Sequence, residues 1–292
     1  MKILLTGATG FIGKYVSERL VSKGIDFVTV GRNTPKINNE HINADLLLTN
    51  NFDQILETAQ ATHLIHLAWY AEHGKYWTSP LNDKWAEATL KLVEAFCNSG
   101  GQGVIAAGTC AEYDWSHGYC SEETTLIKPE TLYGQAKDKT RKLVLSICEK
   151  YNVPCVWGRI FFPYGKEEHP HRLIPSLVSV FRGERPSFGV NSSQYRDLLY
   201  AFDVAEAFIL LLLSGKTGIF NVSSGKPVQI IDVVYKIAIL LNANPKIILD
   251  LTTERPGEPS LLVGENSKLK SLGWRPEYTL DEGLERVVKK YI

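Results

Sequence analysis

Tyr133 and Lys137 are the residues of this sequence whose types and spacing best suit proton transfer. Positions i and i+4 lie on one face of an α-helix, so the phenol and the ammonium group would be neighbours. A phenol has a reference pKa of about 10. A neighbouring ammonium favours the phenolate and lowers that pKa. We therefore expect Tyr133 to act as a general acid/base that Lys137 assists.

A threonine that follows a predicted strand supplies a third polar group for the same chemistry. Residues 103–107 form an apolar run that we interpret as a buried strand, and Gly108-Thr109 comes directly after it. The hydroxyl of Thr109 would then point out of the carboxyl edge of a parallel sheet, where open α/β sheets bind their ligands. We expect Thr109, Tyr133 and Lys137 to meet at this edge as catalytic residues.

Three glycines lie between a predicted strand, residues 3–6, and a predicted helix, residues 14–23. Gly7 can form the tight turn, Gly10 lets the backbone approach a pyrophosphate, and Gly13 lets the helix pack closely. The N-terminus of the helix offers free N–H groups and the positive end of its dipole to phosphates. We expect this turn to bind a dinucleotide through Gly7, Thr9, Gly10, Phe11, Ile12 and Gly13.

The end of the second predicted strand indicates which dinucleotide is bound. An NAD-binding fold usually carries Asp or Glu there, to accept a hydrogen bond from the ribose 2′-OH. This sequence has Arg32 instead, and a guanidinium group can pair with the 2′-phosphate of NADP. We expect NADP(H) as the cofactor, with NAD as the alternative. Asp45 and Leu46 fall where a loop after a third strand would approach the adenine.

Alternating strands and helices must position these groups. The pattern predicts strands at residues 3–6, 26–30, 63–68, 103–107 and 154–160, and helices at 14–23, 83–97, 133–150, 231–241 and 280–291. It is typical of a doubly wound, Rossmann-type α/β fold with a parallel sheet. We expect residues 1–160 to form the dinucleotide-binding domain, joined by a returning helix near 202–214. Residues 161–292 would mostly form a smaller, discontinuous α/β substrate-binding lobe, irregular at first between 163 and 189.

The composition argues against several other classes of protein. Lys+Arg and Asp+Glu both number 32 in 292 residues, and this zero net charge argues against nucleic acid or a membrane surface as a partner. The longest apolar run, residues 207–213, is shorter than the ~20 residues of a membrane span. Five cysteines without a CxxC pair predict reduced thiols, and with no signal peptide recognised we expect a cytoplasmic protein. Cys110, His169 and His171 lack the spacing of metal ligands, so we predict no metal site.

Several further segments match those of a known family and occur in the same order along the chain. They extend the match over the whole sequence. They are His66-Leu67-Ala68, the segment of residues 159–165, Tyr195-Arg196-Asp197 with Asp203-Val204-Ala205, Arg255-Pro256-Gly257-Glu258, and Leu272-Gly273-Trp274-Arg275-Pro276. With the glycine turn and the Thr109, Tyr133 and Lys137 set, they resemble the extended short-chain dehydrogenase/reductase family. More narrowly, the chain looks like the NAD(P)-dependent sugar-nucleotide epimerase/dehydratase/reductase branch.

The resemblance implies roles for individual residues. Tyr133 would be the acid/base, Lys137 would hold the nicotinamide ribose, and Thr109 would hydrogen-bond the reacting oxygen. Leu67 and Ala68 would contact the cofactor. Arg196 and Arg255 would bind the diphosphate of a nucleotide sugar, with Tyr70 and Cys110 also on the substrate side. Apart from the resemblance, an aromatic cluster is expected either to wall the sugar or, for several members, to pack as ordinary core: Trp69, Tyr70, Tyr76, Trp77, Tyr113 and Trp115. The resemblance also implies a homodimer.

Departures from the resembled family indicate the reaction. Its 4,6-dehydratases carry Thr-Asp-Glu, whereas here Thr109 is followed by Cys110-Ala111, which cannot supply that acid/base pair. Its 4-epimerases usually carry Asn where this chain has Phe162, and Trp85 and Glu87 occupy the region of another expected Asn. We therefore expect NADPH-dependent reduction, at C4, of a nucleotide-diphosphate-linked 4-keto-6-deoxy sugar, as in deoxysugar biosynthesis.

Two alternatives stay open. The first is an NAD-dependent sugar-nucleotide 4-epimerase, which NADPH binding no tighter than NADH would favour. The second is a non-catalytic NAD(P)-sensing regulator on the same fold. The complete Thr109, Tyr133 and Lys137 set favours an enzyme, because a sensor needs only the glycine turn.

Overall fold

A computed structural model describes residues 1–37, 39–253 and 257–291. The strands are β1 (Lys2–Thr6), β2 (Asp26–Gly31), β3 (His41–Asn43), β4 (His63–His66), β5 (Gly103–Thr109), β6 (Tyr119–Cys120), β7 (Cys155–Ile160), β8 (Phe162–Tyr164), β9 (Tyr195–Arg196), β10 (Leu198–Tyr200), β11 (Gly218–Val222), β12 (Val228–Gln229) and β13 (Leu261–Gly264). The helices are α1 (Phe11–Ser22), α2 (Phe52–Ala59), α3 (Leu81–Asn98), α4 (Leu132–Lys150), α5 (Leu173–Phe181), α6 (Ala201–Leu213), α7 (Ile230–Leu240), α8 (Lys246–Leu249), α9 (Ser267–Ser271) and α10 (Leu280–Val288).

Seven parallel strands form the large sheet, in the order β3-β2-β1-β4-β5-β7-β11. The order reverses between β1 and β4, and a crevice opens beyond the carboxyl ends of the strands at such a point. This arrangement confirms the predicted doubly wound α/β fold with a Rossmann-type parallel sheet.

Both faces of the large sheet are buried, which explains why its strands are nearly continuous apolar runs. Side chains alternate along β1, so Ile3 and Leu5 belong to one core and Leu4 to the other. The first core includes side chains of α1 and α6, and the second includes side chains of α2, α3 and α4. Because α1 and α4 are fixed on opposite faces, the glycine turn and the Tyr133 helix approach the crevice from two sides.

The later segments form smaller sheets beside the crevice. One has the strand order β12-β9-β13-β6, and β8 pairs with β10. Since β6 lies before residue 160 and joins this sheet, and β11 lies after residue 160 and joins the large one, the chain crosses between the two sheets more often than the predicted division implies. The boundary at residue 160 stays a prediction.

Several elements differ from the sequence expectations. The helix α2 and the strand β11 were not predicted, and α5 occupies part of the region expected to be irregular. The helix expected near 202–214 is present as α6, which packs against α1. Among the described residues, no helix combines the length and the apolar character that crossing a membrane requires.

Candidate active site

A cavity of about 590 Å³ opens along the carboxyl edge of the large sheet. It is lined by the segments that follow β1, β2, β3, β4, β5 and β7. The sequence-predicted residues that line it are Gly7, Thr9, Gly10, Phe11, Ile12, Gly13, Arg32, Asp45, Leu46, Leu67, Ala68, Thr109, Cys110, Tyr133 and Lys137. The fold therefore brings the predicted cofactor and catalytic residues to one surface.

The glycine turn has the shape that a pyrophosphate requires. Gly7 has a φ of +73°, and a Cβ there would lie 2.8 Å from the Ala68 amide nitrogen. A Cβ at Gly13 would collide with the carbonyl of Gly7, so α1 packs directly on the turn. Gly10 is the N-cap of α1 and gives it no side-chain cap. The first N–H groups of α1 therefore stay available to an anion, and the turn fits a dinucleotide.

A buried histidine helps to fix the backbone segment that packs against the glycine turn. The Thr6 Oγ1 accepts hydrogen bonds from the amides of Leu67 and Ala68, at 3.2 and 3.1 Å, and lies 2.8 Å from the His66 Nδ1. The His66 Nε2 lies 2.9 Å from the Thr89 Oγ1 of α3. Burial lowers the pKa of His66 to about 3, so the ring is neutral. This network holds the backbone of Leu67 and Ala68 against the cavity.

The end of β2 places Arg32 at the far end of the cavity. Its side chain is exposed and lines the cavity together with Asn33 and His41. The side chain of Asp45 accepts from the amide of Leu47 at 2.9 Å, which fixes the loop after β3. A cation and a carboxylate therefore occupy the two loops that were expected to recognise the adenosine part of a cofactor.

Tyr133 lies at the first turn of α4, and its ring is held by aromatic neighbours. The rings of Tyr76 and Trp77 meet it edge to face, with centroid distances of 4.9 and 5.7 Å. Burial raises the pKa of Tyr133 above its usual range, while a hydrogen bond with the Thr109 side chain opposes that rise. Tyr133 is thus a neutral phenol beside Thr109, positioned to give a proton to a ligand in the cavity.

Lys137 is buried one turn further along α4. Its Nζ donates to the Ala107 carbonyl at 3.0 Å and lies 3.7 Å from the centroid of the Trp69 ring. Burial lowers the pKa of Lys137 to about 7, and the charge of Glu112 partly opposes this. Tyr76, Cys110 and Glu112 add to the rise in the pKa of Tyr133. The expectation that Lys137 lowers this pKa stays a prediction.

A buried carboxylate, missed by the sequence analysis, anchors the end of β5. Glu112 accepts hydrogen bonds from the Thr109 amide at 2.9 Å, the Trp157 Nε1 at 2.8 Å and the Arg159 Nε at 2.7 Å. Glu112 is fully buried. Its oxygens are engaged away from the cavity, and it positions Thr109 rather than acting on a ligand.

The helix α4 packs on the turn that follows Thr109. A Cβ at Gly134 would collide with the carbonyl oxygen of Ala111. The Thr131 side chain caps the helix by accepting from the Gly134 amide at 3.0 Å. The start of the Tyr133 helix is therefore fixed to the turn after Thr109 by backbone contact.

The predicted substrate residues are arranged differently. Cys110 lines the cavity, whereas Tyr70 and Arg196 are not among the described residues that line it. The Tyr70 hydroxyl donates to Glu72 at 2.9 Å. Arg255 lies outside the described residues. Of the predicted aromatic wall, Trp69, Tyr76 and Trp77 line the cavity.

Arg196 is mostly buried and is hydrogen-bonded to the protein. Its Nη1 donates to the carbonyls of Tyr195 and Pro259, both at 2.9 Å, and its Nη2 donates to the Gln194 side chain at 2.7 Å. Its guanidinium carbon is 5.6 Å from the centroid of the Phe162 ring, which lines the cavity. Its role as a diphosphate ligand stays a prediction.

Other residues line the cavity that sequence reasoning did not assign to a ligand. Trp85 of α3 takes part, together with His73, His169 and Arg172. The only sequence signal for His169 and Arg172 was their position shortly after the segment of residues 159–165, which is similar to a segment of the resembled family. His73 had none. Among the described residues, no group of three or more His, Cys, Asp or Glu side chains is placed to hold a metal ion.

The model of the NAD dependent epimerase/dehydratase family matches residues 3–223. A similar curated protein is the trifunctional UDP-glucose 4,6-dehydratase/UDP-4-keto-6-deoxy-D-glucose 3,5-epimerase/UDP-4-keto-L-rhamnose-reductase of Arabidopsis thaliana, 27% identical over 99% of this chain. The chain spans 46% of the length of that relative.

Two solved structures share the fold over nearly the whole chain. The UDP-glucose 4-epimerase of Thermus thermophilus, in complex with NAD, is 25% identical with a TM-score of 0.86, covering 100% of this chain and 99% of that one. MoeE5 in complex with UDP-glucose and NAD is 26% identical with a TM-score of 0.87, covering 99% and 98%. With the glycine turn, the strand-end threonine and the Tyr133 helix converging on one cavity, this chain belongs to the NAD dependent epimerase/dehydratase family, as its resemblance to the extended short-chain dehydrogenases/reductases implied.

Proposed function

We propose that this enzyme uses NADPH to reduce a nucleotide-diphosphate-linked 4-keto-6-deoxy sugar at C4. We call Thr109, Cys110, Ala111 and Tyr133 the catalytic corner. The residue types found in this corner are the observation that carries the proposal. Tyr133 and Thr109 are side by side at the cavity, while Cys110 and Ala111 take the places of the acid/base pair expected of a dehydratase. Glu112, the nearest carboxylate in sequence, is bonded to Trp157 and Arg159 in the interior. The corner offers one proton donor and no pair for removing water.

The chain's own residues suit a carbonyl reduction. A bound nicotinamide cofactor supplies the hydride for the carbonyl carbon. Thr109 would hold the carbonyl oxygen by a hydrogen bond, and Tyr133 would protonate that oxygen as negative charge develops on it. Burial keeps the Tyr133 phenol protonated until that charge appears. The Lys137 ammonium, on the same helix face, would stabilise the resulting phenolate.

The cofactor preference rests on Arg32. Its guanidinium lines the cavity where the adenosine ribose would lie. A 2′-phosphate there would gain a charge-assisted hydrogen bond. The two similar solved structures are complexes with NAD, so NADH is the necessary comparison.

A second candidate is the NAD-dependent 4-epimerase. The similarity to the Thermus thermophilus UDP-glucose 4-epimerase favours it. Against it, Phe162 lines the cavity where the epimerases that the chain resembles carry Asn. An epimerase also oxidises and re-reduces one substrate, so it would show no net consumption of the dinucleotide.

The deciding experiment follows NADPH and NADH oxidation with dTDP-, CDP-, GDP- and UDP-4-keto-6-deoxy sugars. We expect oxidation of NADPH by at least one of them, at a higher kcat/KM than that of NADH. Tyr133→Phe serves as the inactive control. No oxidation of either cofactor, together with interconversion of UDP-glucose and UDP-galactose, would establish the epimerase instead.

A further inference from the structure

The segment between β4 and α3 covers both of the catalytic side chains that α4 carries, and the proposed reduction assigns no role to this contact. The amide of Tyr133 donates to the carbonyl of Trp77 at 3.2 Å, and the rings of Tyr76 and Trp77 pack edge to face on the Tyr133 ring. At the start of the segment, the centroid of the Trp69 ring lies 3.7 Å from the Lys137 Nζ. One segment therefore contacts the phenol and the ammonium.

The Trp69 ring is fixed at both of its ends. Its backbone follows Ala68, whose amide donates to the Thr6 Oγ1 at 3.1 Å. At the far end of the ring, the Nε1 donates to the Oδ1 of Asn82 at 2.8 Å. Asn82 is buried in the first turn of α3, and its Nδ2 donates to two backbone carbonyls of the same segment, at 2.7 and 2.9 Å. The indole is therefore held over the ammonium by hydrogen bonds that do not involve Lys137.

The ammonium of Lys137 has few other stabilising contacts. Lys137 is buried, and burial favours loss of its charge. Among the described residues, its Nζ donates to the Ala107 carbonyl at 3.0 Å, and Glu112 is the carboxylate whose charge acts on it. Glu112 is itself paired with Arg159 at 2.7 Å, so its charge is already compensated. The ammonium therefore depends on a contact other than a direct ion pair.

An aromatic face suits this position. The face of an indole is electron-rich and attracts a cation that lies within about 6 Å of the ring centroid. Trp69 meets this condition at 3.7 Å, and Trp157 does so at 5.7 Å. A carboxylate in the place of Trp69 would repel the phenolate that forms on Tyr133. The indole has no net charge, so it stabilises the cation without that repulsion.

We propose that Trp69 is a positioning residue of this enzyme, whose ring holds the Lys137 ammonium beside the catalytic corner and stabilises its charged form. This inference rests on the proposed function, in which that ammonium stabilises the Tyr133 phenolate. Trp69 acts through Lys137 and takes no part in the transfer of hydride or proton. Loss of the ring should lower the pKa of Lys137, and with it the pH above which activity is lost.

The titratable and charged groups around the Lys137 ammonium act on it directly or through Glu112. They are His66 of β4, Glu112 after β5, Arg159 of β7, and Tyr133 and Arg141 of α4. Burial lowers the pKa of His66 to about 3 and raises the pKa of Tyr133 above its usual range, so neither changes charge near pH 7. A titration near pH 7 is therefore assigned to Lys137, and Trp69 modifies it without titrating itself.

The test follows the ionisation of Lys137 in the free enzyme, by NMR of protein labelled with ¹³C at the ε-carbon of lysine. The signal that is absent from Lys137→Arg identifies the residue. We expect wild-type Lys137 to titrate near pH 7. In Trp69→Leu, which keeps an apolar side chain, the pKa should fall by about one pH unit. Trp69→Phe should fall by less, because a smaller aromatic face remains.

A trifluorinated tryptophan incorporated at position 69 separates the charge of the ring from its packing. Fluorine withdraws electron density from the ring and nearly preserves its shape, so the pKa of Lys137 should again fall. Trp85→Leu is the matched control, because Trp85 lines the same cavity from α3 and, among the described residues, its ring covers no cation. It should leave the titration of Lys137 unchanged. Circular dichroism of every variant reports that the fold is intact.

The pH dependence of turnover gives a second readout. With a keto sugar that is reduced, kcat of Trp69→Leu should be about fivefold below that of the wild type at pH 7 and nearly equal to it at pH 5, where both ammonium groups are charged. An equal loss at both pH values would contradict the proposal, because a ring that acts only by packing would produce it. An unchanged pKa of Lys137 in Trp69→Leu and in the fluorinated protein would overturn it.

The outcomes separate this inference from the proposed function, because the NMR titration requires no turnover. A lowered pKa of Lys137 without reduction of any keto sugar supports the role of Trp69 and rejects the reaction. Reduction of a keto sugar with an unchanged pKa supports the reaction and rejects the role of Trp69.

Discussion

The two halves of the cavity, which we propose bind the cofactor and the substrate, are built in different ways. The cofactor half is mostly backbone: a glycine turn, the uncapped start of α1 and the Leu67-Ala68 segment that Thr6 holds. The substrate half consists of side chains from separate loops, with His73 nearly a hundred residues before His169. A binding surface formed by one turn is encoded by a few adjacent residues and can be recognised in the sequence. A surface formed by several loops depends on the whole fold.

The largest effect is expected at the junction of the two halves. Tyr133→Phe should reduce turnover by ~10²-fold or more, because it removes the proton donor. Steady-state NADPH oxidation measures the loss, and fluorescence titration should show that binding of NADPH and of nucleoside diphosphates persists.

Tyr235→Phe is the control for that substitution. Tyr235 is exposed on α7 and is not among the described residues that line the cavity, so the variant should keep wild-type turnover. Equal activities of Tyr133→Phe and the wild type would show that the proton comes from another group.

A smaller effect should be confined to the cofactor half. Arg32→Gln removes the cation that we pair with the 2′-phosphate, so the KM for NADPH should rise by about tenfold while that for NADH stays nearly constant. Lys36→Gln, which changes an exposed charge in the same loop, should alter neither. A parallel loss for both cofactors would mean that Arg32 does not discriminate between them.

The smallest effect concerns the pH dependence of turnover. Burial places the pKa of Lys137 at about 7, and the ammonium is the form that stabilises a phenolate. The active form is therefore complete below this pKa and is lost as the pH rises through it. At saturating substrate, kcat should fall about fourfold between pH 6 and 7.5.

Lys137→Arg should make the remaining activity independent of pH over that range, because a guanidinium stays charged. An unchanged break near pH 7 in Lys137→Arg would assign the titration to another group.

The parts of the fold that sequence predicted are those with local signals. Tyr133 and Lys137 lie on one helix, and their spacing alone places them on one face. Gly7 shows the positive φ that its place in the turn predicted. Five of the seven strands of the large sheet could be predicted because burial on both faces leaves them mostly apolar.

The remainder depends on contacts between distant segments. Arg196 matched its expected motif, yet the Pro259 carbonyl that engages it lies far along the chain. Nothing near Lys137 in sequence indicates that Trp69 covers its ammonium or that burial lowers its pKa. The short strand β11, Gly218–Val222, joins the large sheet only because β7 offers it an edge.

The contact between Gly134 and Ala111 has a consequence for how this enzyme could diversify. Tyr133 and Thr109 are held rigidly relative to each other, because any side chain at position 134 would collide with the backbone carbonyl of Ala111. The loops that carry His73 and Arg172 are attached elsewhere. Evolution could therefore exchange those loops, and the side chains that they place in the cavity, without moving Tyr133 relative to Thr109.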